Sequence, residues 1–146
     1  SEFYKNCLIL QTKMLSPQRL VELIRSYKMI NHEIEIKDTM NFLEKIYNKF
    51  YNPAFDINHS IFECCYKEKY NDGLKFMALK LSLDTIIKFY IDKMIHTSYE
   101  FEIFDCIFNP FTKDELINTT IFSHGKYNWQ LKSYIHEKFT LNIDVR

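Results

Sequence analysis

Apolar residues recur at three- and four-residue spacing along most of this chain, interrupted by short polar breaks that carry Pro, Gly, Asn, Asp, Ser or Thr. That period puts apolar side chains on one face of an α-helix, so the pattern predicts helices joined by short turns. Residues 2–13, with Phe3, Cys7, Leu8 and Leu10, allow a first helix. Ser16-Pro17 opens a second, because the serine hydroxyl can accept from a free amide while proline loses no bond at the first helical position. From Pro17 to Ile30 the apolar face is Leu20, Leu23, Ile24, Tyr27 and Ile30. Asp38 or Thr39 can cap a helix carrying Met40, Leu43, Ile46, Tyr47 and Phe50, which should stop before Pro53.

Further along, a helix reopens at Asn58 or Ser60 through Ile61, Phe62, Cys65 and Tyr66, and Asn71-Asp72-Gly73 reads as the turn that ends it. Leu74 to Ile95 is the most hydrophobic run, divided by Ser82. Its second part, apolar around much of its circumference, suits a central helix. A short helix then runs to Asn109-Pro110. Thr112 and Glu115 have capping-box spacing, each able to satisfy the other's free amide, and predict a helix that stops near Gly125. Tyr127, Leu131, Tyr134 and Ile135 mark the last helix. Residues 139–146 alternate apolar and polar instead, a period of two that suits an extended tail or linker.

The expected fold is therefore all-α: seven to eight helices, arranged as antiparallel hairpins over 17–30 with 38–51, 58–70 with 74–81, 83–95 with 98–108, and 113–123 with 127–138. With 146 residues and 47% hydrophobic content, one domain spanning 1–146 is expected. The start at Ser1 without an initiating Met suggests a piece of a longer protein.

Nineteen basic and nineteen acidic side chains cancel, which disfavours a strongly charged partner. No stretch approaches the roughly 20 apolar residues of a membrane span. Cys7, Cys64, Cys65 and Cys106 are scattered on inward faces, as reduced core thiols would be, which predicts an intracellular protein, cytoplasmic or nuclear. No cofactor or metal motif is present: CxxC is missing, no two histidines have helical zinc spacing, and both glycines stand alone, excluding a phosphate-binding loop.

Ile61-Phe62-Glu63-Cys64-Cys65-Tyr66-Lys67, followed by Asp72-Gly73-Leu74-Lys75-Phe76-Met77, resembles a pentatricopeptide-type helical hairpin, and Leu23-Ile24-Arg25-Ser26-Tyr27-Lys28 echoes its first half. The likeness covers less than half of the chain and implies stacked helical hairpins, in an α-solenoid or a compact bundle. A compact bundle is similar in outline to Bcl-2-like viral proteins, which would imply binding of host helices. Arg25 and His32, with six residues between them, have the spacing of helical ribonucleases of the HEPN type, which would use them at a phosphate.

Thirteen Phe, ten Tyr and one Trp make 16% of the chain. Most Phe positions face inward. Tyr51, Tyr70, Tyr99 and Tyr127 fall near helix ends, and Trp129 lies off the inward stripe of its helix, where aromatic rings can anchor a partner. The function expected is a non-enzymatic interaction module presenting a groove or concave surface to another protein, a peptide or a helix. The alternative is an RNA-associated module using Arg25, His32 and Lys28, with Lys45, Lys49, Lys67 and Lys69 as a possible basic stripe. Self-association through 139–146 is a third reading.

Overall fold

The computed structural model describes residues 16–30, 35–50, 57–119 and 129–140. The fold is all-α, and its contacts divide the chain into two compact units, Ser1–Lys80 and Leu81–Arg146. The first unit contains α1 (Pro17–Ile30), α2 (Ile36–Phe50), α3 (Ile57–Lys67) and α4 (Asn71–Ala78). The second contains α5 (Leu83–Phe89), continued by a π-helical turn (Tyr90–Met94), then α6 (Phe101–Phe108), α7 (Lys113–Ile117) and α8 (Trp129–Ile135), continued by a π-helical turn (His136–Thr140). The expected helix over 2–13 lies outside the described residues, as do Gly125, Tyr127 and 141–146.

In the first unit α1 packs on α3 and α2 on α4, while α3 and α4 pack on each other across a three-residue connection. Two consecutive helix pairs thus lie first member to first member and second to second. Val21, Ile24, Met40, Ile61, Phe62 and Met77 form the centre. The α1 stripe is centred one position away from its expected place, since Val21 is fully buried while Leu23 and Tyr27 are only partly so. Ser16 caps α1 as its position predicts, with its Oγ accepting from the Arg19 amide at 3.3 Å. Helix α2 begins two residues before Asp38, and Thr39 is not a cap: its buried hydroxyl donates to the Glu35 carbonyl at 2.9 Å, inside the first turn.

Gly73 does not end a helix. It sits buried within α4, where a Cβ would come within 2.7 Å of Cys65 Sγ and 2.8 Å of Tyr70 Cδ2. Its lack of a side chain lets α4 approach α3 closely. The turn falls earlier, at Lys69, the single described residue with positive φ (54°). The Tyr70 amide donates to the Cys65 carbonyl at 2.9 Å and the Lys69 amide to the Tyr66 carbonyl at 3.2 Å. These two bonds are those of a Schellman ending, with lysine in the place where glycine is usual.

In the second unit Ser82 caps α5, accepting from the Thr85 amide at 3.2 Å. The predicted central run is realised as α5 plus its π-turn, in which the Ile95 amide reaches back five residues to the Tyr90 carbonyl at 3.0 Å. Ile86, Ile87, Phe89, Tyr90 and Met94 are buried. Thr112 and Glu115 form both bonds of the capping box, at 2.9 and 3.1 Å. Helix α7 stops at Ile117 rather than near 123, because the Thr119 hydroxyl takes up the Leu116 carbonyl at 2.8 Å and the chain turns. Phe139 and Thr140, expected in the extended tail, lie in the second π-turn.

Candidate functional site

Tyr90, Phe104, Phe108 and Tyr134 form the aromatic centre of the second unit, with Phe104 1% exposed and the other three fully buried. Phe104 meets Tyr90 nearly edge to face at 5.8 Å and Tyr99 at 5.1 Å, and Phe108 lies 6.0 Å from Tyr134. Such offset ring pairs add to the area they bury and hold the surrounding helices in register.

Helix α8 is fastened to this centre by polar bonds at both ends. Gln130 is fully buried. Its Oε1 accepts from the Tyr90 hydroxyl at 2.9 Å, and its Nε2 donates to the Thr97 carbonyl. One turn further on, the Tyr134 hydroxyl donates to Asp105 Oδ1 at 2.8 Å, and a turn beyond that the Lys138 ammonium reaches the same oxygen at 2.5 Å and Asn109 Oδ1 beside it. Gln130, Tyr134 and Lys138 stand four residues apart on one face, so a single row of side chains joins α8 to the α5 segment and to α6.

Burial pushes the phenols away from ionisation. Tyr90 is raised to about 12 by desolvation, opposed slightly by the Leu131 backbone. Tyr134 is pushed up by burial and then by its bond to the Asp105 carboxylate, and Tyr99 by burial and then by the nearby Glu137 carboxylate. The thiols follow the same rule: desolvation lifts Cys64 to about 11, and burial pushes Cys65 higher still. A neutral phenol and a protonated thiol are weaker nucleophiles than their anions. Cys65 and Cys106 are buried and Cys64 is half-buried, and all three are free thiols.

The opposite face of α8 presents Trp129, 54% exposed and next in sequence to the buried Gln130. The Trp129 carbonyl is also held, accepting from Ser133 Oγ at 2.9 Å. An indole open to solvent is therefore carried on backbone fixed from the other side.

The remaining expected site residues do not gather around it. Tyr99 is partly buried against Phe104. Tyr70 is only 6% exposed, in the first unit, because it follows the Schellman turn and folds back onto Gly73; its ring is part of a core and unavailable to a partner. Tyr51 and Tyr127 lie outside the described residues, as does His32. Arg25 is exposed and donates from Nη1 to the Glu68 carbonyl, and Lys28 is partly buried. The lysines Lys45, Lys67 and Lys69 are exposed, while Lys49 falls among side chains that are not described. Sequence reasoning missed Gln130, Asp105 and Lys138. Two of these had a signal, since Gln130 and Lys138 are polar residues on the inward stripe of their helix.

Among the described residues no group of three or more His, Cys, Asp or Glu side chains could hold a metal ion, and no helix is long and apolar enough to cross a membrane. The chain matches no protein-family model, no curated protein and no solved structure.

Proposed function

We propose that this all-α chain is a non-enzymatic interaction module that binds another protein with Trp129 as an anchor. The observation that carries this reading is the contrast between neighbours: Trp129 is 54% exposed and Gln130 0%. Exposing an indole forgoes about 1.5–3 kcal/mol or more of burial, and a backbone already pinned by Gln130 loses little further freedom when a partner covers the ring. Large aromatic side chains on rigid supports are the residues that dominate binding energy at protein interfaces.

Trp129 is the single tryptophan of the chain, so its emission reports on its own surroundings. The test is capture of a partner from ribonuclease-treated lysate by the wild-type chain and by Trp129→Ala, followed by titration of the purified partner while indole emission is recorded. Loss of capture in the variant, with a blue shift on titration of the wild type, supports the reading. Retention by Trp129→Ala, or emission that does not move, sinks it.

A further inference from the structure

Three residues of the segment 129–140 are exposed: Trp129, Lys132 and His136. They stand at i, i+3 and i+7, so they share one outward face of α8, opposite the row of Gln130, Tyr134 and Lys138 that fastens the helix. Helical rise places Lys132 and His136 about 5 and 10 Å along the axis from the indole. The hydrogen-bonding chemistry of this row is one-sided. An indole N–H and an ammonium donate and do not accept, and a neutral imidazole adds one more N–H. No carboxylate belongs to the row: Asp105 is engaged on the inward side by Tyr134 and Lys138, and Glu137 lies near the Tyr99 phenol. Acidic residues slightly outnumber basic ones over residues 81–146, so a row without an acid is a local feature and not the average of its unit.

We propose that the partner anchored by Trp129 is an acidic protein segment, which sets an apolar side chain against the indole and carboxylates within reach of Lys132 and His136. The inference rests on the interaction-module reading and names the chemistry of its partner. An ionised carboxylate only accepts hydrogen bonds, so it complements a row that mainly donates. Exposed charges add modestly to affinity but select strongly among partners, because a like charge in the same place is repelled. The indole therefore supplies the affinity and Lys132 the choice of partner. A nucleic-acid strand fits less well, since it draws affinity from several phosphates neutralised together, and this row holds one lysine on a chain whose formal charges cancel.

The probe is a library of random dodecapeptides displayed on phage and selected on the immobilised full chain, with Trp129→Ala in parallel. Peptides held by the wild type and not by Trp129→Ala should carry Asp or Glu within four positions of an apolar residue more often than the unselected library does. The tightest is then synthesised with a fluorescent label and its binding followed by anisotropy. Lys132→Gln should weaken it about two- to fivefold, and Lys132→Glu, which adds repulsion, should weaken it further. A version of the peptide with its acidic residues changed to lysine should bind Lys132→Glu more tightly than it binds the wild type, a reversal that a loss of fold would not produce. Peptides that need Trp129 but show no acidic enrichment, or whose affinity ignores Lys132→Glu, overturn the acidic partner and leave the anchor standing. Peptides that Trp129→Ala holds equally well overturn the anchor reading and this inference with it, and so does a wild type that retains no peptide. Displacement of the labelled peptide by oligouridine at equal charge concentration overturns the protein partner in favour of a strand.

Discussion

Tyr90 and Gln130, forty positions apart in sequence, are joined by a 2.9 Å hydrogen bond between two side chains with no exposed surface. Because Gln130 also donates to the Thr97 carbonyl, its amide spends both ends inside the protein and ties the start of α8 to Tyr90, where the π-turn opens, and to Thr97, three residues past its end.

Removing that amide takes the acceptor from the Tyr90 hydroxyl and a donor from the Thr97 carbonyl. Gln130→Ala should destabilise the chain by about 2–4 kcal/mol, read as a lower denaturant midpoint at unchanged m-value. Tyr90→Phe, which removes both the bond to Gln130 and the bond to the Leu131 backbone, should cost about 1–3 kcal/mol. If the glutamine variant unfolds at the wild-type midpoint, the bond contributes nothing to stability.

At Gly73 two effects compete. Alanine within a helix is favoured over glycine by about 1 kcal/mol, but here its Cβ would lie 2.7 Å from Cys65 Sγ and 2.8 Å from the Tyr70 ring. Overpacking of about 1–3 kcal/mol outweighs the propensity gain, so Gly73→Ala should lower the unfolding temperature. In a Cys65→Ala background the same change should be less harmful, and a double-mutant cycle will measure the difference. A higher unfolding temperature for Gly73→Ala alone would refute the close-packing account.

The buried phenols and thiols set the alkaline limit. Tyr90, Tyr99, Tyr134, Cys64 and Cys65 all have folded-state values raised above their ordinary 10.0 or 9.0. Above those ordinary values the unfolded chain has released protons that the folded chain still holds, so stability falls as pH rises. It should be intact below about pH 9 and decline from there through pH 12. Denaturant midpoints measured across that range should fall steadily, with Tyr90→Phe and Tyr134→Phe showing a shallower decline than wild type. A flat profile up to pH 12 contradicts it.

Trp129 is more than half exposed, so Trp129→Ala should change stability by no more than about 0.5 kcal/mol. Acrylamide should quench wild-type indole emission readily in the isolated chain. Strong protection from quenching would mean that the indole is covered, and the anchor reading would lose its basis.

Local chemistry was legible wherever neighbouring residues decide the outcome. Ser16 and the Thr112–Glu115 box cap the helices that their positions predict, because a cap is completed within three residues, and Ser82, read only as a break in the hydrophobic run, caps α5. The apolar stripes located most of both cores, and Trp129 was readable as an outward position from its phase on α8. Gly73 misled because glycine has two uses, freedom in turns and closeness in packing, and choosing between them requires the neighbouring helix. Tyr70 misled for a related reason: its place near a helix end says nothing of the turn that folds its ring inward.

What the sequence determined by itself is the all-α class, the helix starts with local caps and the faces that bury apolar side chains, since each depends on contacts within a turn or two of helix. Only the tertiary structure decided that Gln130 would meet Tyr90, that Lys138 would meet Asp105, and that Arg25 would reach the Glu68 carbonyl. These pairs join residues about thirty to forty-five positions apart, and which distant polar groups meet is set by how the helices pack, a relation that no local period encodes.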